Sequence, residues 1–512
     1  MTRLQSYRLP LALALTAIYN LFFWQEQFGI NLPLFSFLIM ALILALNPAA
    51  MRSRNVWISA LGTLFTGVLA VVYHSGTVQV VHILSTLLFV GFAHQPKLRT
   101  VFHALGQLFE SIMHMGLSLQ EEWQRIRKVQ PGFSRISNYL KLIVIPIVGV
   151  LVFFFIFRGA NPRFAALTDD FFIWIGDWFT DFSFLRFFFL LLGFLLSVGL
   201  IYRRASSIIL NHDAAQNDEL KRTRRKNKHP FNFLGLKKEY RTGVLLIGMV
   251  NLMLLANNVI DIDWIWLGFE VEPDMNLKNF VHEGTYLLIL SIMLSMGIML
   301  YFFRKNQHFY REQGLLHILS YLWVGQNVLL VISVALRNYH YIAYHGLAYK
   351  RIGVFFFLLA TVLGLLSLFG KIRNQKSAFY LFRVNGWAVY GTILILCSLN
   401  WDMIIARHNL TAEYPGTLDT QFLLDLSDKT LPILIDHYED AIAKINERKV
   451  EGTATEQLNS QINTYQLGIS NKIREFKETQ KTYDWPSWNW AEANTLTYLK
   501  QYDGPLKPYE NE

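Results

Sequence analysis

The sequence predicts an all-α fold: a polytopic bundle of about 11 membrane-spanning helices, followed by a small helical tail outside the membrane. Three observations lead there. Charged residues are only 16% of the chain, where a soluble domain carries roughly 25%, and hydrophobic residues are 53%. Apolar runs of spanning length recur from residue 9 to residue 400. Lysine and arginine are crowded into every second connection, as membrane orientation requires.

Four apolar runs open the chain, at 9–24, 32–48, 55–73 and 77–93, joined by short turns. Arg3 and Arg8 precede the first and no small-residue cleavage pattern follows it, so a retained helix is expected rather than a removed signal peptide. Asn20 inside it suits a hydrogen bond to a neighbouring helix. Residues 99–128 read differently, as one amphipathic helix in the membrane interface. Its apolar face carries Val101, Leu105, Leu108, Ile112 and Leu119, and its polar face His103, Gln107, Glu110, His114 and Arg125. His103, Glu110 and His114 lie close together on that face, but a solvated surface accounts for them without a metal, and none is expected.

A fifth span is expected over 139–158, kinked at Pro146. Asp170, Asp177 and Asp181 then share a face opposite Phe171, Trp174 and Trp178, which reads as the acidic decoration of an aromatic interfacial helix. The sixth span is 184–202. The insertion at 203–241 holds 11 Lys or Arg residues, and its run Lys221, Arg222, Arg224, Arg225, Lys226 and Lys228 predicts a mobile loop against anionic lipid headgroups. Further spans follow at 242–259, 285–303, 315–336, 352–370 and 384–400. Gln326 and Asn327 fall mid-span, so they face protein or water: either they bond between helices or they wall a polar cavity. Cys397, the only cysteine, excludes disulfides within the chain and reads as a buried small hydrophobe.

Orientation follows from the basic residues alone. Alternate segments beginning with the N-terminus carry 28 Lys or Arg, and the segments between them carry 5. The N-terminus is therefore expected in the cytoplasm and the C-terminus outside. From Asp402 onward the tail has 11 basic against 18 acidic residues, so the net charge of +10 hides a basic membrane part and an acidic tail. Basicity of that kind answers to lipid headgroups, and nucleic acid is not an expected partner. In the tail, Leu431, Leu434, Ile435, Tyr438, Ile442 and Ile445 form one helical stripe, started by a Ser427 cap with Pro432 in the first turn. Leu458, Ile462, Tyr465, Ile469, Ile473 and Phe476 form a second, and a third helix begins near Trp490. Trp485, Trp488 and Trp490 suit a seat on the bilayer or against the spans. Three segments result: a four-span unit with the interfacial helix over 1–138, a seven-span core over 139–400, and an extracytoplasmic tail over 401–512.

That topology gathers His282, Glu283, Arg337, Tyr341, Tyr344, Arg351, Asn400, Asp402 and Arg407 at the outer surface. Arginines on the side that usually lacks them need partners, and Glu283 and Asp402 are the anions at hand. An ion-pair lock between helices satisfies the physics without a ligand; a binding or catalytic site is the sharper alternative.

These same residues carry a resemblance. N-P-R-F at 161–164, N-F-V-H-E-G-T-Y at 279–286, S-V-A-L-R at 333–337, Y-H-G-L-A-Y-K-R at 344–351 and N-W-D-M-I-I-A-R-H-N-L at 400–410 resemble the bacterial multi-pass family known as domain of unknown function four-one-seven-three, with its relative four-one-five-three. L-L-D-L-S-D-K-T-L-P at 423–432 and W-N-W at 488–490 extend the likeness into the tail, so that it covers most of the chain after about residue 140. Ala348 stands where the family favours Thr and Trp401 where it favours Pro, so no hydroxyl role carries over to position 348. The resemblance implies a bacterial inner-membrane protein and supplies no activity.

The sequence holds no P-loop, dinucleotide fingerprint, nucleophile elbow or zinc motif, and no cofactor is expected. The favoured reading is a non-enzymatic sensor or scaffold, with anionic lipids and a protein partner for the tail as its contacts. A lipid-linked transferase shares the architecture of many spans followed by an outer domain, but its first outer loop, about Gln25–Asn31, holds only Glu26 as an acid. A small-solute transporter would use Gln326 and Asn327, but no inverted repeat or broken helix pair is visible.

Overall fold

The computed structural model describes residues 7–129, 183–203, 206–222, 236–268, 277–304, 308–447 and 455–504, with short pieces between 146 and 168 and Leu506. Most of the expected fifth span, the aspartates at 170, 177 and 181, Arg224, Arg225, Lys226 and Lys228 lie outside the described residues, as do the side chains of His282 and Glu283.

Among the described residues the fold is helical and contains no strand, only an isolated antiparallel bridge between Glu219 and Lys376. The opening helices are α1 (Arg8–Phe23), α2 (Asn31–Leu46), α3 (Arg54–Tyr73) and α4 (Gly76–His94). After α5 (Val101–Met113), α6 (Met115–Val129), α7 (Phe184–Ile201) and α8 (Ser207–Ala215) come the long apolar helices. These are α9 (Leu236–Asp261), α10 (Leu277–Phe302), α11 (Gly314–His345), α12 (Tyr349–Arg373) and α13 (Ala378–Cys397). Among the described residues, seven helical stretches are long and apolar enough to cross a membrane: 54–73, 76–94, 184–201, 237–267, 314–345, 349–373 and 378–397. Those at 8–23, 31–46 and 286–302 are apolar but shorter. Their outer faces are apolar, and residues such as Leu185, Leu252 and Leu287 stay uncovered by protein.

Among the described residues three large cores and a smaller fourth organise the chain, the fourth joining Ala70, Val78 and Val81 of α3 and α4 to Cys397 of α13. The first joins α1 to α5 through Leu15, Ile43, Phe89, Phe92 and Leu108, and takes in Val198 and Ile201 of α7. The sequence had grouped α7 with the later spans; packing puts it with the earlier ones. The second core unites α9 to α12 around Trp323, Leu330, Val334 and Leu365. Helix α13 touches both, with Tyr390 in the first core and Leu381 in the second. The third core belongs to the tail and includes Ile352 at the start of α12.

Two expected elements turn out differently. The helix over 99–128 breaks at His114 into α5 and α6, and Gln107 and Ser111, one of them placed on the solvated face, are buried. The reason is the chain returning from α7: Ser206 N donates to Gln107 Oε1 at 2.9 Å, so protein covers that face. Within the basic insertion, residues 206–222 are docked on the bundle. Asp213 is buried against Arg99 and His103 at 2.8 and 2.7 Å, and Asp218 holds Arg383 at 2.5 Å. Lys221 and Arg222 remain exposed at the end of this docked segment.

Candidate functional site

The tail is built on α14 (Trp401–Thr411), then α15 (Thr420–Leu424), α16 (Leu431–Asp436), α17 (Tyr438–Glu447), α18 (Thr455–Gln480) and α19 (Trp490–Gln501). The stripe expected over 431–445 is interrupted at His437, which separates α16 from α17. Both pieces still face the same core, because Leu434 and Ala441 meet Tyr465, Ile469 and Ile473 of α18 there.

Asp402, in the first turn of α14, is the centre of the candidate site. Its carboxylate accepts from Lys429 and from the Tyr349 hydroxyl, and from the Ser427 hydroxyl at 3.1 Å. The side chains of Lys429 and Asp402 are 2% and 7% exposed, so this is a buried ion pair. Lys429 also donates to Tyr73 O at 2.6 Å, which ties the tail to the end of α3. Burial works to raise the Asp402 pKa but is outweighed by the Lys429 charge and the three hydrogen bonds, which hold it below the usual carboxylate value. Ser427, expected as a helix cap, spends its hydroxyl on Asp402 instead.

Beside it, two separate motifs meet at a turn. Gly346 ends α11 at φ +78, a conformation suited to glycine, and a Cβ there would lie 2.7 Å from Asn409 Oδ1. Asn409 grips the next peptide from both sides: Leu347 N donates to its Oδ1 at 2.6 Å and its Nδ2 donates to Leu347 O at 2.9 Å. Gly416 N reaches back to Tyr344 O at 2.7 Å. Arg351 closes the α11 end by donating to His345 O at 3.0 Å and to Gly346 O, and its guanidinium lies 4.4 Å from the Tyr341 ring centroid. Thus 344–351, 400–410 and 427–429 are one joint.

The other expected residues sit as follows. Arg337 pairs with Asp261 at 2.6 Å, and the two side chains are 9% and 2% exposed. Of the two anions named for it, Asp402 belongs instead to Lys429, and the Glu283 side chain lies outside the described residues. Asn400 is at the N-cap of α14 without capping it, and its Oδ1 is buried with no partner among the described residues. Arg407 points away and is exposed.

Gln326 belongs to a polar seam between α9 and α11, which run parallel. Asn251 Nδ2 donates to Leu319 O at 2.9 Å, and Gln326 Nε2 to Asn251 Oδ1 at 3.1 Å. Asn258 Nδ2 donates to Gln326 O at 3.1 Å, Trp266 Nε1 to Ser333 Oγ at 3.0 Å, and His340 contacts Ile265 O at 3.2 Å. On α11 these contacts fall at 319, 326, 333 and 340, a heptad spacing that suits a left-handed crossing. Asn327 instead turns its Nδ2 to Trp323 O within its own helix at 2.9 Å.

The tail is further seated on the loop after α1. Gly29 lies so close to Ser487 that a Cβ would stand 2.3 Å from that residue's carbonyl, and Ile30 N donates to Trp488 O at 2.8 Å. Buried Glu492 accepts from Gln27 at 2.6 Å, Asn489 at 2.8 Å and Gln480 at 2.8 Å, and contacts His74 at 3.2 Å. Sequence reasoning missed Lys429, Asp261, Asn409, Tyr349 and Glu492. Their signal was there in part, since Tyr349, Asn409 and Lys429 fall inside the quoted motifs and Asp261 is a charge between two isoleucines.

Neither the curated proteins nor the solved structures contain a match to the chain. The family model that matches is four-one-five-three, which the motifs had named as the relative of four-one-seven-three. It also begins far earlier than residue 140 and stops before the tryptophans of the tail. The model described as Domain of unknown function (DUF4153) matches residues 11–437, a stretch that holds the helices of the first two cores and the Asp402–Lys429 joint, and the chain belongs to that family.

Proposed function

We propose that this chain is a multi-pass protein of the bacterial cytoplasmic membrane, with eleven spans, the N-terminus inside and the helical tail outside. In this reading it is a non-enzymatic scaffold or sensor that holds its tail at a fixed height over the outer face for a protein partner. The grouping of chain ends supports the orientation. The loops at 24–31, 73–76 and 344–349 gather at the tail, while Arg99, Arg304, Lys371 and Arg383 gather at the opposite end with the 206–222 segment or its neighbours.

One observation carries the scaffold reading: Asp402, the buried acid of the joint, is neutralised by Lys429 and saturated by two hydroxyls. A carboxylate so held is a structural anchor and is not poised for general acid or base work, which weighs against a transferase. The transporter reading draws on unpartnered oxygens in the α9–α11 seam, at Asn258 and Gln326, but the seam is spanned by hydrogen bonds along its length.

The test is complementation of a strain lacking the protein. The charge-free double variant Asp402→Asn with Lys429→Met is expected to restore the phenotype. Failure to restore it by a variant that keeps the wild-type melting temperature would make Asp402 a functional group and overturn the scaffold reading.

A further inference from the structure

At the end of the bundle opposite the tail, four helix ends converge on a small recess. Arg8 opens α1, Asn47 caps α2, His94 ends α4, and Arg203 follows α7. The recess they line has a volume of about 20 Å³, room for roughly one oxygen-sized atom.

Its polar groups are incompletely used. Arg203 donates to Asn47 Oδ1 at 3.2 Å, and the Arg8 guanidinium stands 5.9 Å from the Tyr202 ring centroid. Arg8 Nε is buried without a hydrogen-bond partner among the described residues, and so is the Tyr202 hydroxyl. His94 is 2% exposed; its Nε2 donates to Leu200 O at 2.9 Å, which leaves Nδ1 buried and unpartnered. Among the described residues neither arginine is ion-paired. Glu122, the acid whose charge reaches Tyr202, is itself engaged by Arg125 at 3.6 Å. Burial and the Arg8 charge hold Arg203 below its ordinary pKa, so the two cations work against each other.

Helix C-termini attract cations, and three of them end here, which is the simpler reason for arginines at this place. That account would have the guanidiniums donating to the terminal carbonyls. Among the described residues neither does.

We propose that Arg8 and Arg203 bind a phosphate group between their guanidiniums, with one of its oxygens at the mouth of the recess on the arginine side. Two guanidiniums around one phosphate are a strong and directional arrangement, and the anion removes their mutual repulsion. The narrow recess admits a single oxygen, so the remaining oxygens and any ester substituent stay outside, at the level of the span ends. The phosphate of a phospholipid headgroup and inorganic phosphate offer the same chemistry.

The experiment uses the purified full-length protein, stripped of lipid in detergent, and follows its melting temperature. Phosphatidylglycerol, phosphatidylcholine and inorganic phosphate are titrated separately. The wild type is expected to be stabilised more by phosphatidylglycerol than by phosphatidylcholine, whose ammonium the two guanidiniums repel. Stabilisation by inorganic phosphate as well would support the site and name free phosphate as its ligand; stabilisation by the lipid alone would name the headgroup. Arg203→Gln, a change at an exposed side chain that spares the fold, is expected to raise the half-saturating concentration about tenfold. Replacing Arg373, exposed at the end of α12, by Gln is expected to leave it unchanged, which shows that the effect is local to the recess. An equal response of wild type and Arg203→Gln, or no response to either anion, would overturn the proposal.

Discussion

Lys429 of the tail and Asp402 at the start of α14 form a buried ion pair whose ammonium also reaches Tyr73 O, so one side chain fastens the tail to itself and to the membrane helices. Removing one partner strands the other charge. Lys429→Met is expected to cost about 3–5 kcal/mol, and the double variant with Asp402→Asn to recover much of that loss. Melting temperatures of the four proteins in one cycle measure the coupling.

Arg337 and Asp261 form the second buried pair, between α11 and α9. Arg337→Gln is expected to cost about 3–5 kcal/mol, relieved by Asp261→Asn. A cycle between Arg337 and Asp402 should show no coupling above about 0.5 kcal/mol, because the two charges have different partners. A strong coupling there would mean that all four charges act as one network.

The seat of the tail should loosen in acid. Burial holds His74 below its usual pKa despite the pull of Glu492, so the unfolded chain takes up this proton first, and stability falls as pH drops below about 6.5. Asp402 is also held low. Its contribution is complete above the unfolded value of about 3.9 and is lost as pH falls through the lower folded value. Limited proteolysis of the α18–α19 hairpin against pH should therefore accelerate in two stages. A rate unchanged between pH 7 and 5 would remove His74 from the explanation.

Gly29 is where the loop after α1 touches the tail backbone, with a would-be Cβ 2.3 Å from Ser487. Gly29→Ala is expected to destabilise that seat by about 1–3 kcal/mol and to expose Trp485 and Trp488 more fully to an aqueous quencher. Unchanged quenching and melting would show that the contact yields cheaply.

Orientation is tested by cysteine labelling, since Cys397 is buried and silent. A cysteine at Glu475, exposed on α18, is expected to react with an impermeant reagent from outside, and one at Asn217 only after lysis. The reverse pattern would invert the proposed topology and put the tail in the cytoplasm.

The period of the apolar residues was enough to predict most of the helices, because burial in lipid or in a helix pair demands apolar side chains at every turn. Thus α3, α4 and α11 to α13 lie close to where the runs at 55–73, 77–93, 315–336, 352–370 and 384–400 put them. The alternation of basic residues was equally legible, since it is a property of loops counted one by one. Partnership was not. Arg337 could be seen to need an anion, yet only packing α9 parallel to α11 brings Asp261, 76 residues away, to its guanidinium. Lys429 looked like one more charge of an acidic tail until the tail folded onto α3 and enclosed it with Asp402. Gln107 looked solvated until the chain returning from α7 covered it. A sequence states which groups must be satisfied; which group satisfies which depends on distances between elements far apart in the chain, and those exist only once the helices have packed.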